Sequence, residues 1–508
     1  MKDAVIVGGG LAGLSAAWRL RNWDITLLES SHRVGGRIRS ENRGRYFLNW
    51  GGHMFAGGKS STNELITETE TRTSEIPGSL SAISMNGKLL LNGPVQSYPF
   101  RIPMAMKDRV SMVKAGAKVS ADVLRYAQAV RLRPNETAEA RQQRIYDFEN
   151  DRSFADYIGE LSEDAEAMFR PTITRSAADP DELAAGAGIG YFSLVWNIGQ
   201  GLNRSISGGP SNLVESIAAP LQEDIRLDAK VQEIVHKKDH VVVRYRQDDI
   251  DHEIEALTVV LATPATVAHR VAVDLQEDKR EALGKIVYGP YVSAAFLTNE
   301  TEPQPWDGAY GIATPKRSFN VVMNQGNIVR GTETERQPGG SIMTFSPASL
   351  ARRLLDLDDA DILDTYISDL DEVLPGFAGM VAEAQVQRWR TGAPYCFPRR
   401  GKLQPALTSL SGRVFLAGDY LGTLYTETAI SSGLTAAQQA ANILATARQT
   451  RRHHPVQHPD ENEPPRHDEG TASARETTTG ITPHTRHMSA PTPSATATTT
   501  ASTNSEAS

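Results

Sequence analysis

Ala4-Val5-Ile6-Val7-Gly8-Gly9-Gly10-Leu11-Ala12-Gly13, followed by an alanine-rich run and then by Ile25-Thr26-Leu27-Leu28-Glu29, decides the fold of this chain. An apolar strand, a glycine turn, a helix-forming run and a second apolar strand make a βαβ unit of the dinucleotide-binding kind. Gly8 permits the tight turn, Gly10 lets a pyrophosphate approach the backbone, and Gly13 lets the helix pack on the strand. Leu11 and Ala12 open that helix, where N–H groups without helical partners meet the phosphates. Glu29 ends the second strand about 20 residues beyond the first glycine. Its carboxylate accepts hydrogen bonds from ribose hydroxyls and repels a 2′-phosphate, which predicts an adenosine ribose lacking that phosphate.

After Glu29 come Ser30-Ser31-His32-Arg33-Val34-Gly35-Gly36-Arg37. This segment resembles the flavin-binding extension of the amine oxidase, protoporphyrinogen oxidase and phytoene desaturase superfamily. The resemblance implies non-covalent FAD rather than NAD, with Ser30 and Gly36 in the cofactor site. The paired glycines let a second loop close over the pyrophosphate, and Arg37 brings a fixed fork of donors to the phosphate or flavin. The alternative is a polar turn with a solvated arginine.

At 508 residues the chain exceeds one ordinary core, so two domains are expected. Its 40% hydrophobic and 22% charged residues suit a globular protein, and a net charge of −8 argues against a general nucleic-acid binder. Small molecules are the expected partners. Cys396 is the one cysteine, which forbids an intrachain disulfide and predicts a reducing, cytoplasmic setting. No apolar run reaches the length of a membrane span.

Beyond Gln449 the chain is rich in Thr, Ser, Pro, Ala and His, with no aromatic residue, and a disordered tail is expected over 449–508. Six of the 12 histidines fall there, irregularly spaced, which favours a solvated tail over a metal site. Nucleotide-domain signals occur at 1–60, 205–280 and 401–448, leaving 61–204 and 281–400 to a substrate domain. The predicted class is α/β, a Rossmann-like FAD-binding domain interleaved with an α+β substrate domain carrying a mixed sheet. In the second nucleotide segment, a glycine-rich helix start at 207–213, short strands at 225–227 and 231–235, and Val259-Val260-Leu261-Ala262-Thr263-Pro264 again resemble the superfamily, which implies backbone near Val231 beside the adenine. Arg101–Arg133 holds eight Lys or Arg against Asp108 and Asp122, a balance of +6. Such a helical block could touch an anionic membrane peripherally or bind an anionic substrate; the alternative is a solvated face over core methionines.

Near the end, Arg413-Val414-Phe415-Leu416-Ala417-Gly418-Asp419-Tyr420 precedes Glu427-Thr428-Ala429-Ile430 and an alanine-rich helix, Leu434 to Leu444. Asp419 is expected at the ribityl or phosphate region and the Gly418 N–H at the pyrophosphate. The N–H groups near Thr428, Ala429 and Ile430 are expected at the N1–C2=O edge, where reduction places negative charge. The block matches the superfamily's C-terminal motif. Tyr46–Phe55 resembles the loop that passes the flavin ring. Gly51 and Gly52 would admit backbone near the isoalloxazine, and His53 would act as general base or donate to a flavin oxygen, unless it is simply a hydrogen-bonded loop histidine.

Two departures bear on mechanism. The monoamine-oxidase branch places a lysine on the strand that here reads Val287–Ala295, which has none; Lys285 lies upstream. Cys396 lacks the glycine pair of enzymes that attach flavin through cysteine. Tyr191, Phe192, Trp196, Trp389, Tyr395 and Phe397 could line an apolar cavity; the alternative, and the commoner place for aromatics of such a domain, is the core. The function expected is a protoporphyrinogen-oxidase-like or desaturase-like FAD-dependent oxidoreductase. It would take hydride from a C–N or C–C unit of an apolar or cyclic small molecule and pass electrons to O2 or another acceptor. A redox-neutral flavin isomerase or mutase, a nicotinamide dehydrogenase and a non-catalytic escort protein of the same fold are the rivals.

Overall fold

Strand Lys2–Val7 pairs in parallel with Ile25–Leu28 on one side and Ile250–Leu261 on the other. Parallel strands covered on both faces read as unbroken apolar runs, and Ala4 to Ile6 are fully buried. Around this centre a computed structural model, which describes residues 1–453 except 77, 79, 80, 197–201, 332–334, 411 and 424, forms a seven-stranded sheet. Its order is Ile225–Arg226, Ile25–Leu28, Lys2–Val7, Ile250–Leu261, Val241–Gln247 and Lys230–His236, with Val414–Leu416 also paired to Ile250–Leu261. The long strand serves two partners in succession. Its charged half, Ile250–Glu255, runs antiparallel to Val241–Gln247 at the surface; its apolar half, Ala256–Leu261, enters the core between Lys2–Val7 and Val414–Leu416.

Helices Leu11–Leu20 and Tyr425–His453 pack on one face of that sheet through Leu14, Ala16, Ala17, Ala436, Ala437, Ala440 and Leu444. Small residues bring their backbones close: a Cβ on Gly433 would stand 2.1 Å from the Ala12 carbonyl oxygen. The C-terminal helix is longer than its alanine-rich middle suggests, starting at Tyr425 and continuing to His453, four residues past Gln449. Loss of aromatic and aliphatic residues marks where the core ends, whereas helix propensity persists through Thr446–Arg452. The remainder of the expected tail, 454–508, lies outside the described residues.

The second seven-stranded sheet has the order Val381–Pro394, Tyr288–Thr298, Gly340–Pro347, Val321–Asn324, Gly311–Ala313, Ala82–Met85 and Lys88–Leu90. It is mixed, since Gly311–Ala313 and Ala82–Met85 run parallel while the other pairs are antiparallel. Helix Met106–Val130 departs in part from a basic face over core methionines. Met104 and Met112 are half-buried, but Met106, Val110 and Val113 are 70%, 45% and 46% exposed. No helix of the described residues is long and apolar enough to cross a membrane.

Candidate cofactor and substrate site

The three glycines of the first turn answer to different constraints. Gly8 sits at φ +104°, and a Cβ there would be 2.7 Å from the Ala262 carbonyl oxygen; a Cβ on Gly13 would be 1.8 Å from the Gly8 carbonyl oxygen. Both are required by the fold itself. A Cβ on Gly10 would meet nothing within 4 Å, because Gly10 faces a cavity of about 1020 Å³. Leu11, Ala12, Glu29, Ser30, Gly36 and Val231 share that wall, whereas Gly13 lies beneath it. Glu29 is held at the edge: Oε2 accepts from the Gly9 N–H at 2.6 Å, and Oε1 accepts from the Ser31 N–H and hydroxyl at 2.9 and 2.7 Å. The Ala229 N–H donates to the Glu29 carbonyl at 2.8 Å, which brings Val231 alongside. A groove with open backbone at Gly10, an oriented carboxylate and a free helix start fits an adenine dinucleotide.

At the other end of the groove Arg37 meets Asp419, 382 positions later in the chain. Its Nη1 lies 2.8 Å from Oδ2 and its Nη2 donates to Oδ1 at 3.1 Å, while Nη1 also donates to the Gly392 carbonyl at 2.9 Å. Burial opposes the guanidinium charge, but the Asp419 carboxylate together with Tyr288 and Tyr291 more than offsets this and the Arg37 pKa is raised. Arg37 thus holds Asp419 in place instead of projecting a free fork. The Gly418 N–H, expected at the pyrophosphate, donates to the Ser432 hydroxyl at 2.9 Å. Gly51 and Gly52 line the cavity, yet their lack of side chains is enforced by the neighbouring loop: a Cβ on Gly51 would be 2.1 Å from the Arg37 carbonyl oxygen, and one on Gly52 2.8 Å from Ile38 Cδ1.

Of Thr428, Ala429 and Ile430, Ala429 alone reaches the cavity. The helix starts at Tyr425, so the amides that helix geometry leaves without intrahelical partners belong to Tyr425, Thr426 and Glu427. Ile430 is fully buried in the helix-packing core, and Thr428 packs against Gly422. Glu427, without an assigned role in the sequence, accepts from the Ser61 and Thr62 N–H groups, both at 2.9 Å. That bond ties the helix start to the beginning of helix Ser61–Glu68.

His53 sits in the same cavity with its Nδ1 3.2 Å from the Gly51 carbonyl oxygen. That geometry assigns the proton to Nδ1 and leaves Nε2 as an acceptor, buried with no partner among the described residues. Burial pushes the imidazole down to about 4, the Gly51 carbonyl opposes this, and the Arg175 charge adds to the lowering. The ring is therefore neutral at physiological pH. Unfolded, it would take up a proton near pH 6.5, which the folded protein resists until about 4; His53 therefore withdraws stability as pH falls through that window. The thermal midpoint of the holoprotein should drop more steeply between pH 6.5 and 4 than that of His53→Gln, and parallel curves would contradict a buried neutral imidazole.

Arg175, which follows helix Glu163–Thr174, carries no motif and was not anticipated. Its side chain lines the cavity, and no carboxylate among the described residues pairs with it. Burial lowers its pKa, and among the described residues the hydroxyls of Tyr291, Tyr310 and Tyr425 oppose that lowering without overcoming it. The two acids in the wall, Glu29 and Asp419, are engaged elsewhere. The available signal was a single arginine in Ile173-Thr174-Arg175-Ser176-Ala177-Ala178, a stretch otherwise small or apolar.

Tyr191, Phe192, Trp196 and Trp389 line the cavity rather than serving only as core, and Phe169, Tyr291, Phe345 and Tyr425 join them; Tyr395 and Phe397 do not. No lysine stands on strand Tyr288–Thr298, and Lys285 is exposed, paired with Glu281 at 3.0 Å. Cys396 is a thiol pushed up to about 12 by burial, too weak an acid to provide a nucleophilic thiolate.

Residues 11–441 match the model of the flavin containing amine oxidoreductase family. An L-amino-acid oxidase of Crotalus adamanteus is 24% identical over 471 residues, 86% of this chain and 86% of that protein. The L-amino acid oxidase of Bothrops pictus is also 24% identical, over 86% of this chain and 89% of its own length. Among solved structures, a putrescine oxidase bound to putrescine superposes with a TM-score of 0.68 at 20% identity, covering 87% of this chain and 99% of that one. Cyclohexylamine oxidase from Brevibacterium oxydans IH-35A gives 0.69 at 16%, covering 88% and 99%; likeness at these identities speaks for the fold.

Proposed function

The chain belongs to the flavin-containing amine oxidoreductases, and from that premise we propose that it oxidises the C–N unit of an amine that also bears an anionic group. It is an FAD-dependent oxidoreductase. One observation carries the finer reading: the cavity beside Gly51 and Gly52 holds both an imidazole nitrogen, His53 Nε2, and a guanidinium, Arg175, that have no hydrogen-bond partner and no counter-ion, respectively, among the described residues. An unpaired charge in an apolar chamber is unfavourable until an anion meets it. Arg175 then fixes one end of the substrate. At the other end His53 Nε2, neutral and an acceptor, takes a hydrogen bond from an N–H of the substrate amine, which binds as the free base after losing its proton to solvent; this orients the nitrogen lone pair that assists loss of hydride from the adjacent carbon. Phe169, Tyr191, Phe192, Tyr291, Phe345 and Tyr425 exclude water around the reacting atoms. FAD, when bound, supplies the two-electron acceptor, with O2 or another oxidant regenerating it.

Residues 1–60, 205–280 and 401–448 are assigned to the FAD-binding domain and 61–204 and 281–400 to the substrate domain, in support of which every strand of the first large sheet lies in the former and every strand of the second in the latter. The lack of a lysine on Tyr288–Thr298 favours one second reading, desaturation of a C–C unit in a protoporphyrinogen-oxidase-like reaction. Anaerobic mixing separates these possibilities. Amines bearing a carboxylate should bleach the flavin faster than matched amines without one. Bleaching only by cyclic C–H donors would favour desaturation, and no bleaching by any substrate that binds would point to a redox-neutral enzyme.

A further inference from the structure

Helix Met106–Val130 turns outward a face that nothing among the described residues covers. Met106, Val110, Val113, Ala117, Ser120 and Leu124 recur at i, i+4, i+7, i+11, i+14 and i+18, which places them on one stripe, and all six are exposed. Lys107, Lys114, Lys118 and Arg125 recur at i, i+7, i+11 and i+18 and form a second stripe along its flank. Phe100, 68% exposed on the preceding turn, extends the apolar face. Of the 12 large hydrophobic side chains left exposed among the described residues, six fall between Phe100 and Leu132, so the exposure is concentrated here.

The acids beside this face are buried or engaged: Asp108 is buried, Asp122 is tied to Arg125 and to the Tyr157 hydroxyl, and Glu149 is tied to Arg125, while Lys107 and Lys114 have no ion pair among the described residues and leave the free charge positive. The stripe is also continuous with the active cavity, because Phe100, Val113, Ala117 and Ser120 line it as well.

We propose that this face docks the enzyme onto an anionic lipid bilayer, with the helix lying in the interface plane. An apolar stripe flanked by lysines is how a helix sits at the boundary of acyl chains and headgroups: the stripe buries in the former and the ammonium groups meet lipid phosphates. Pairing of two copies through the same face would bring the lysine stripes of both together, which disfavours a dimer as the occupant. A cavity opening within the stripe lets apolar molecules pass between the bilayer and the flavin site without crossing water. The docking stands whichever substrate the enzyme oxidises.

The test is co-sedimentation of the full-length holoenzyme with phosphatidylcholine vesicles, with and without phosphatidylglycerol. Bound enzyme should rise about tenfold or more with phosphatidylglycerol and fall as salt screens the charges. The double substitutions Met106→Glu/Val110→Glu and Lys107→Glu/Lys114→Glu should each abolish that gain while flavin content and turnover of a water-soluble substrate stay at wild-type levels. The proposal is overturned by absence of binding to anionic vesicles, or by undiminished binding of both double variants. A concentration-dependent dimer in solution that Met106→Glu/Val110→Glu dissociates would also overturn it, since a second copy would then cover the face.

Discussion

A Gly10→Val chain should fold and emerge from purification colourless. The substitution is informative because Gly10 differs from its neighbours: a Cβ there meets no protein atom within 4 Å, and φ is −74°, a value open to any residue. Valine in place of glycine before a helix start weakens the cap by about 1 kcal/mol, so the melting point should shift by a few degrees at most from that of apo wild type. The isopropyl group projects into the groove where the pyrophosphate must touch backbone, and FAD affinity should fall at least ~100-fold, roughly 3 kcal/mol. Gly13→Val gives the contrast, since its Cβ would lie 1.8 Å from the Gly8 carbonyl oxygen and should prevent folding. A folded Gly10→Val protein that kept one FAD per chain would remove Gly10 from the phosphate path. Circular dichroism and visible absorption on one preparation decide it.

Arg175→Met should reduce kcat/KM for the anion-bearing amine about 30- to 150-fold, the loss of one charged hydrogen-bonded contact worth roughly 2–3 kcal/mol. Most of the effect belongs in KM, because Arg175 binds an end of the substrate remote from the bond that breaks. A matched amine without the anionic group should be handled as well as by wild type or better. Arg175→Lys should recover part of the loss, keeping the charge without the planar fork. Thermal stability should hold or rise, because a buried charge without a carboxylate partner is removed. An equal loss for both amines would make Arg175 a structural residue and withdraw the anionic requirement. A second consequence concerns His53: without the Arg175 charge one of the causes lowering its pKa disappears, and any acid limb of flavin reduction should move upward.

The βαβ unit was legible because its signals are local: Gly8, Gly10, Gly13 and Glu29 fall within one unit, and each spacing has a steric reason. The mixed second sheet was legible only through the strand at Tyr288, since its other strands come from segments up to 300 positions apart and register arises from packing. At the site, Arg37 and Asp419 were each recognisable, but their pairing was not. Two opposite charges brought to one end of a groove engage each other first, and nothing local announces that meeting. The helix start was placed too late because alanine content marks helix interiors, whereas the first turn here is Tyr425-Thr426-Glu427, poor in alanine and fixed by Glu427 on the Ser61 and Thr62 amides. Arg175 was invisible for the reason that makes it informative: in sequence a lone arginine reads as solvated, and only the enclosing walls make it a charge with no carboxylate partner among the described residues.

That the two distant glycine-bearing segments close on one FAD is tested by the flavin content of the purified wild-type chain. One FAD per polypeptide, released on acid precipitation because the Cys396 thiol does not bond it, is the outcome expected. A colourless protein that fails to take up added FAD, or flavin that stays with the precipitated polypeptide, would contradict it.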